Sequence, residues 1–489
     1  MRPVEWFDAE GYSVAREVVQ RGVAAVYVVA FVAVLRQFRP LLGENGLLPV
    51  PRFVARVAWR ASPSLFHWRY SDRLVVAVGW VGAVVAAALV LGVPQAGPPW
   101  LPLVAFLALW VLYLSVVNVG QVFYGFGWES LLLEAGFLVA FLGSREVAPP
   151  VPVLVLLWWL VLRLELGAGL IKWRGDPAWR DLTALYYHHE TQPMPGPLSR
   201  WFHLLPRPLH RVEVAANHVT QLVVPFALLV PGPVASAAAA VVVVTQLWLV
   251  LSGNFAWLNW LTIVLAFSAV TDDAFAWALS PLGIDVGSVG PQVTAPAPLW
   301  FVAVVVGVAA VCLVLSWWPL RNLVSRNQRM NASFNSLHLV NAYGAFGSVT
   351  RRRTEVVVEG TLDEDPATGA WSEYEFRGKP GEVRRVPRQY APYHLRLDWA
   401  MWFLGLGSSA QLAWFVPFLV RLLEADAPTL RLLAHDPFSG RRPRWVRARL
   451  YRYRFATHGQ HRETGQWWVR EDLGLMVDAH DLRTLARVR

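Results

Sequence analysis

Lys172 stands at the end of a long apolar run, seven residues after Glu165, and is one of two lysines in a chain with 42 arginines. A composition that writes Arg almost everywhere yet keeps Lys here marks a place where a compact ammonium serves and a guanidinium fork does not. An ionisable group at membrane depth is a functional-site candidate by default. Three roles are open to it. A desolvated amine can act as a base, which makes Lys172 the one catalytic candidate in the chain. Alternatively it pairs with Glu165, nearly on the same helical face, or faces a buried polar site. Its ammonium can also snorkel to the headgroups. A structural pair or polar site is the favoured reading.

Other ionisable groups interrupt neighbouring apolar runs. Glu129 and Glu134 lie five residues apart, which turns them about 140° away from each other on a helix. They are therefore not an acid–base pair, and each needs a partner from another span, with Arg163 and Lys172 the obvious candidates. Interhelical ion pairing is expected rather than a substrate site. Glu213, Asn217 and Gln221 recur every four residues with His218 beside them, a polar stripe that must face protein or a cavity. Helix–helix hydrogen bonding is the default, and a polar cavity shared with Lys172 is the sharper alternative.

His188, His189 and Glu190, with His203 and His210, raise the question of a metal. Adjacent histidines diverge on a helix, and neither an HExxH motif nor a Cys–His set is present, so no metal is expected. The chain has no P-loop, no GxGxxG and no GxSxG elbow, so no cofactor is expected and an enzyme is less expected than a non-catalytic protein.

These residues must be positioned by membrane helices. With 55% apolar residues over 489 positions, the chain is too apolar for an ordinary soluble enzyme. Nine apolar runs are long enough to be read as spans, at about 22–38, 74–93, 100–118, 126–143, 151–166, 212–230, 234–251, 255–270 and 299–318. Acidic Glu5, Asp8, Glu10 and Glu17 precede or begin the first run, which argues against a removable signal peptide. The fold class predicted is a polytopic helical bundle over residues 1–320 with a β-rich domain over 321–489. Between the spans, segment 172–211 is too polar to cross and too aromatic to be a linker. Trp173, Trp179, Tyr186, Tyr187, Trp201 and Phe202 fit a cap at the interface.

Beyond residue 320 the sequence predicts strands at 354–362, 371–377, 444–455 and 465–470, with helices at 412–423 and 428–434. This part holds 26 basic and 17 acidic residues, which is +9 of the chain's +10. Arg alternates with Glu and Asp there, so the basic excess reads as a solvated face beside lipid headgroups, and nucleic acid is not expected as a partner. The positive-inside rule places this side in the cytoplasm, since the loop from Arg36 to Arg73 carries seven arginines. Cys312 is the only cysteine, so no disulfide forms within these 489 residues.

The strings GAGLIKWRGDPAWRDLT (167–183), HHETQPMPGP (188–197), SGNFAWLNWL (252–261), NAYGAFG (341–347), YHLRLDW (393–399) and LAHDPF (433–438) resemble those of the lipase maturation factors. GENGLLP (43–49) extends the resemblance to the N-terminal part. It implies an integral membrane protein that helps client lipases fold and assemble. The family resides in the endoplasmic reticulum membrane of eukaryotes, and the Arg-over-Lys bias here is that of a GC-rich bacterium, with the plasma membrane as the equivalent. The resemblance also implies an extracytoplasmic C-terminal domain, the reverse of the charge rule; long loops translocate with little regard to charge, and the family's orientation is preferred. It makes Trp179, Asp181, His188, His189 and Glu190 candidates for an interfacial or client-contact surface. Asn341, Tyr343, Tyr393, His394, Asp398, Trp399 and His435 then mark the core or client face of the C-terminal domain. A short segment around Lys172 is also similar to the lysine-bearing part of vitamin K-dependent carboxylases, which implies the alternative of an integral-membrane enzyme.

Overall fold

The computed structural model describes residues 6–283 and 295–486; Glu5 lies outside them. Among the described residues, six helices are long and apolar enough to cross a membrane: α1 (Ser13–Leu42), α2 (Asp72–Val90), α3 (Trp100–Asn118), α5 (Val151–Arg174), α8 (Pro233–Ser252) and the helical stretch Leu299–Val324, which begins with α11 (Leu299–Leu315). A seventh crossing is reached by counting one bent pair. There α9 (Leu258–Ala266) runs through a short turn and then bends by 112° into α10 (Asp272–Leu279).

The nine expected spans are thus reduced, for a physical reason. Run 126–143 holds α4 (Gly127–Val139), only 13 residues or about 20 Å, with every side chain but Phe137 buried. Run 212–230 holds α7 (Arg207–Leu222), which breaks at Val223 before Pro225. Apolar composition records burial, and a helix inside protein satisfies it as fully as one in lipid. The outer helices carry the exposed apolar side chains that a lipid-facing surface requires: Trp80, Val84, Val304, Leu313 and Val314 on α2 and α11.

Segment 172–211 folds as short helices, Pro177–Arg180, α6 (Leu185–Thr191) and Ser199–His203, with a proline-broken turn between the last two. The C-terminal region forms one antiparallel sheet in the order β2-β1-β3-β4, from β1 (Arg353–Thr361), β2 (Ser372–Tyr374), β3 (Trp445–Phe455) and β4 (Trp468–His480). The β3–β4 register slips between Val446 and Ala448, Ala448 and Arg449, and Leu450 and Tyr451, and Gly474 sits in β4 at φ 105°. β4 runs ten residues past the predicted end at 470. Two helices cover the sheet: α12 (Arg396–Gly405), not anticipated from sequence, and α13 (Leu412–Leu423), found at the predicted bounds. The helix expected at 428–434 is one turn, Ala427–Leu430.

One crossing, Leu299–Val324, separates residues 271–283 from the sheet. Reporters inserted after Gly283 and fused to the C-terminus are therefore expected on opposite faces of the membrane. Protease protection or alkaline phosphatase activity on the same face for both would exclude this topology.

Candidate functional site

Lys172 lies 6% exposed on the inner face of α5, and its Nζ donates to Asn217 Oδ1 (3.0 Å) and Gln221 Oε1 (2.9 Å) of α7. An ammonium only donates, so both amides turn their oxygens toward it. Gln221 then has its NH2 free, and its Nε2 donates to Glu165 Oε2 (3.2 Å). Gln246 Nε2 of α8 donates to the other carboxylate oxygen (2.6 Å), and Asn259 Nδ2 of α9 donates to Gln246 Oε1 (2.7 Å). The expected Lys172–Glu165 pair is therefore bridged by Gln221 rather than direct, and the chain of amides stitches four helices together. Both acceptors lie on one face of α7, four residues apart, and the Trp179 ring stands 4.9 Å from Nζ at cation–π distance. Two glycines allow the approach: a Cβ on Gly169 would meet Gln221 Cβ at 2.9 Å, and one on Gly167 would run into the Tyr343 carbonyl.

Glu134 and Arg163 pair as expected, both fully buried, and the pair reaches further than two helices. Glu134 Oε2 accepts from Asn341 N (2.9 Å), Asn341 Nδ2 (2.8 Å) and Tyr343 Oη (2.7 Å), while Arg163 Nη1 donates to the Asn341 carbonyl (2.6 Å). Glu129 pairs neither with Arg163 nor with Lys172. Its partner is Arg396 of α12 (2.6 Å), with Tyr113 Oη donating to the same carboxylate. Arg396 lies over the Tyr124 ring at 3.4 Å and donates to the Phe123 carbonyl (2.8 Å). Gln37 of α1 receives the Arg396 backbone N–H (3.0 Å) and donates to the His394 carbonyl (2.7 Å). The motifs at 341–347 and 393–399 are thus the parts of the C-terminal region that enter the bundle.

Between bundle and C-terminal region lies a cavity of about 730 Å³. Its walls are mainly apolar and aromatic, including Trp128, Phe255, Phe346, Trp399 and Trp402, with Lys172, Glu165, Asn217, Glu213, His188 and His189 on one side. That composition, apolar walls with a few convergent polar groups, is typical of a binding site. Of the proposed interfacial or client-contact residues only Asp181 is exposed. Trp179 is buried with Nε1 on the Phe346 carbonyl (2.8 Å), His188 packs edge-on to Phe346, His189 is buried, and Glu190 accepts the Phe455 N–H (2.8 Å). Burial pushes Glu190 above the usual carboxylate range. His218 holds the Trp179 carbonyl (3.0 Å). Tyr393 is half-buried, Trp399 is buried against Trp128, and His435 is exposed with its backbone bridged to Glu375.

Sequence reasoning missed Gln246 and Asn259, single polar residues in apolar helices, and Arg396, hidden among many arginines. It also missed Arg353, whose Nη1 and Nη2 hold the carbonyls of Glu190 (2.9 Å), Gln192 and Pro193 (3.0 Å), with Glu355 and Lys379 in the same buried cluster.

This architecture defines a polytopic membrane protein whose C-terminal region is locked into its helical bundle by buried charges. The profile of the lipase maturation factor transmembrane domain matches residues 14–277, and that of the lipase maturation factor C-terminal domain matches residues 339–478. The chain is 41% identical to lipase maturation factor 1 of Bos taurus over 94% of its own length and 87% of that protein's. It is 40% identical to the Homo sapiens lipase maturation factor 1 (94% and 86%) and 30% identical to Homo sapiens lipase maturation factor 2 (94% and 82%). No solved structure matches it. The chain belongs to the lipase maturation factor family. Nothing in these relationships supports the carboxylase-like alternative.

Removing one partner of a buried ion pair strands the other charge, at about 3–5 kcal/mol. Arg396→Met is thus expected to lower the thermal midpoint in detergent strongly, and Glu129→Gln with Arg396→Met to recover part of the loss. A double variant no better than the single would show that Glu129 is not what strands.

Buried histidines give a pH dependence, and two of them lie in the C-terminal region. Burial pushes His338 and His394 down to about 4 from an ordinary 6.5, and Arg396 beside His394 adds to it. Between those values the unfolded chain binds more protons, so stability falls as pH drops from about 6.5 to about 4. Burial raises Asp398 to about 6, which acts in the opposite sense: its contribution is complete below 3.8 and is lost as pH rises through 6. His338→Gln should flatten the acid slope of the thermal midpoint and Asp398→Asn should steepen it. A wild-type midpoint that holds level or rises toward pH 4 would contradict this.

Proposed function

We propose that the chain is a membrane-embedded maturation factor that assists the folding and assembly of client lipases or related secreted proteins, acting as a chaperone and not through chemistry of its own. The observation that supports it is the extent of the likeness to lipase maturation factors 1, which runs through both the helical bundle and the C-terminal region. Residues 1–320 are read as the membrane part and 321–489 as a β-rich domain on the extracytoplasmic side, where secreted clients fold. Lys172 serves this reading as a structural ammonium, held by Asn217 and Gln221. Cys312 is buried within α11, so thiol exchange on a client falls to a separate oxidoreductase.

The test is secretion of a co-expressed lipase, read as activity per amount of secreted lipase. Wild type is expected to raise that ratio over an empty vector. Lys172→Arg, whose longer fork does not fit between two amides, is expected to lower thermal stability and maturation together. Full stability with complete loss of maturation in Lys172→Arg would instead make the amine itself the working group, and no gain from wild type at equal membrane expression would refute the maturation reading.

A further inference from the structure

The two adjacent histidines of the interfacial segment do diverge: His188 turns to Phe346, and His189 turns toward α7, where it meets His210 and Glu213. His210 and Glu213 are three positions apart, one helical turn, and so share a face. One ligand atom from each of the three lies within 4.8 Å of the others, and His189 Nε2 is already 3.7 Å from Glu213 Oε1. That is too long for a hydrogen bond. It is close to the separation of about 3.4 Å between neighbouring donors around a tetrahedral ion at 2.1 Å.

The two histidines are buried, Glu213 is partly exposed, and several of their polar atoms lack hydrogen-bond partners among the described residues. His189 is 1% and His210 2% exposed, neither ring nitrogen of His189 has a hydrogen bond, and the same holds for His210 Nδ1 and Glu213 Oε2. Leaving such atoms unmatched carries a desolvation cost, and a cation between the three side chains removes it for one atom of each. Their outer contacts aim them. His210 Nε2 lies 3.2 Å from the His203 carbonyl, which puts the ring proton there and leaves the Nδ1 lone pair turned inward. Trp248 Nε1 donates to Glu213 Oε1 (2.8 Å) and fixes the carboxylate.

We propose that His189, His210 and Glu213 form a binding site for one divalent transition-metal ion of the zinc class. Two imidazoles and a carboxylate match that preference, and calcium or magnesium, which call for oxygen donors, do not fit. Three protein ligands leave a fourth position open. His189 and Glu213 both line the large cavity, so that position faces it and takes an oxygen or nitrogen donor from whatever the cavity holds. The ion also fastens α6 to α7, beside the Lys172 network.

The experiment uses the full chain in detergent, stripped with a chelator and titrated with zinc alone, read by bound metal per protein and by thermal midpoint. Cobalt(II) serves as a second probe, through its visible absorption. Wild type is expected to take up one equivalent with a raised midpoint and tetrahedral-type cobalt bands. Trp248→Phe, which only releases the carboxylate, is expected to bind about 10–100-fold more weakly. Glu213→Gln, which keeps the size of the side chain, and His189→Ala are expected to lose the site. The proposal is overturned if wild type shows no saturable zinc uptake, or if His189→Ala and Glu213→Gln retain its stoichiometry and cobalt spectrum. A variant that does not fold leaves the wild-type titration and the Trp248→Phe comparison to decide.

Discussion

A carboxylate deprived of water must find a cation, and Glu129 finds Arg396 across 267 residues of sequence. An uncompensated charge in an apolar interior costs several kcal/mol, so this pair, with Tyr113 and the Tyr124 ring around it, makes correct docking of the C-terminal region a condition of burying α4 at all. Glu134 has its cation, Arg163, within the bundle, and the C-terminal region adds the hydrogen bonds of Asn341 and Tyr343 to its other oxygen. The two carboxylates point away from each other on one short helix, and each is met by a different part of the C-terminal region, the start of α12 for Glu129 and the 341–343 segment for Glu134. The bundle and the sheet are therefore coupled at two points on a single 13-residue element, which fixes their relative rotation as well as their contact.

The cavity follows from this coupling. Its walls come from both parts, Lys172, Glu165 and Asn217 from the bundle and Phe346, Trp399 and Trp402 from the C-terminal region. Gly167 lets the Tyr343 backbone close on α5, and Gly169 lets α7 close on it from another direction. Larger side chains at these two positions would part the elements that carry Lys172 and its two amides. Gln221 holds Lys172 and Glu165 apart, accepting from one and donating to the other, so the two ionisable groups are joined through a neutral amide and not by direct contact.

Much of this was legible from residue types, and what was not has an identifiable cause. Glu134 and Arg163 could be matched because each interrupts an apolar run. Arg396 could not, because it lies in polar sequence where arginine is abundant and carries no signal of its own. Gln246 and Asn259 are polar but not ionisable, and only their neighbours in space show that they continue the Lys172 network. The span count erred at 126–143 and 212–230 because hydropathy cannot tell protein surroundings from lipid. The strand expected at 465–470 was too short: cross-strand pairing to β3 carries β4 through the polar Glu471 and Asp472 and through Gly474 to His480.

β4 is an outer strand of the sheet, and its free edge would ordinarily be a template for any extended polypeptide. Its register is broken three times against β3, Gly474 bends it through a left-handed conformation, and Arg470, Glu471 and Asp472 place charges along it. A newcomer strand needs a regular ladder of donors and acceptors, and here the ladder slips every few residues. The edge therefore resists annealing to another extended chain, and the described sheet ends at β4.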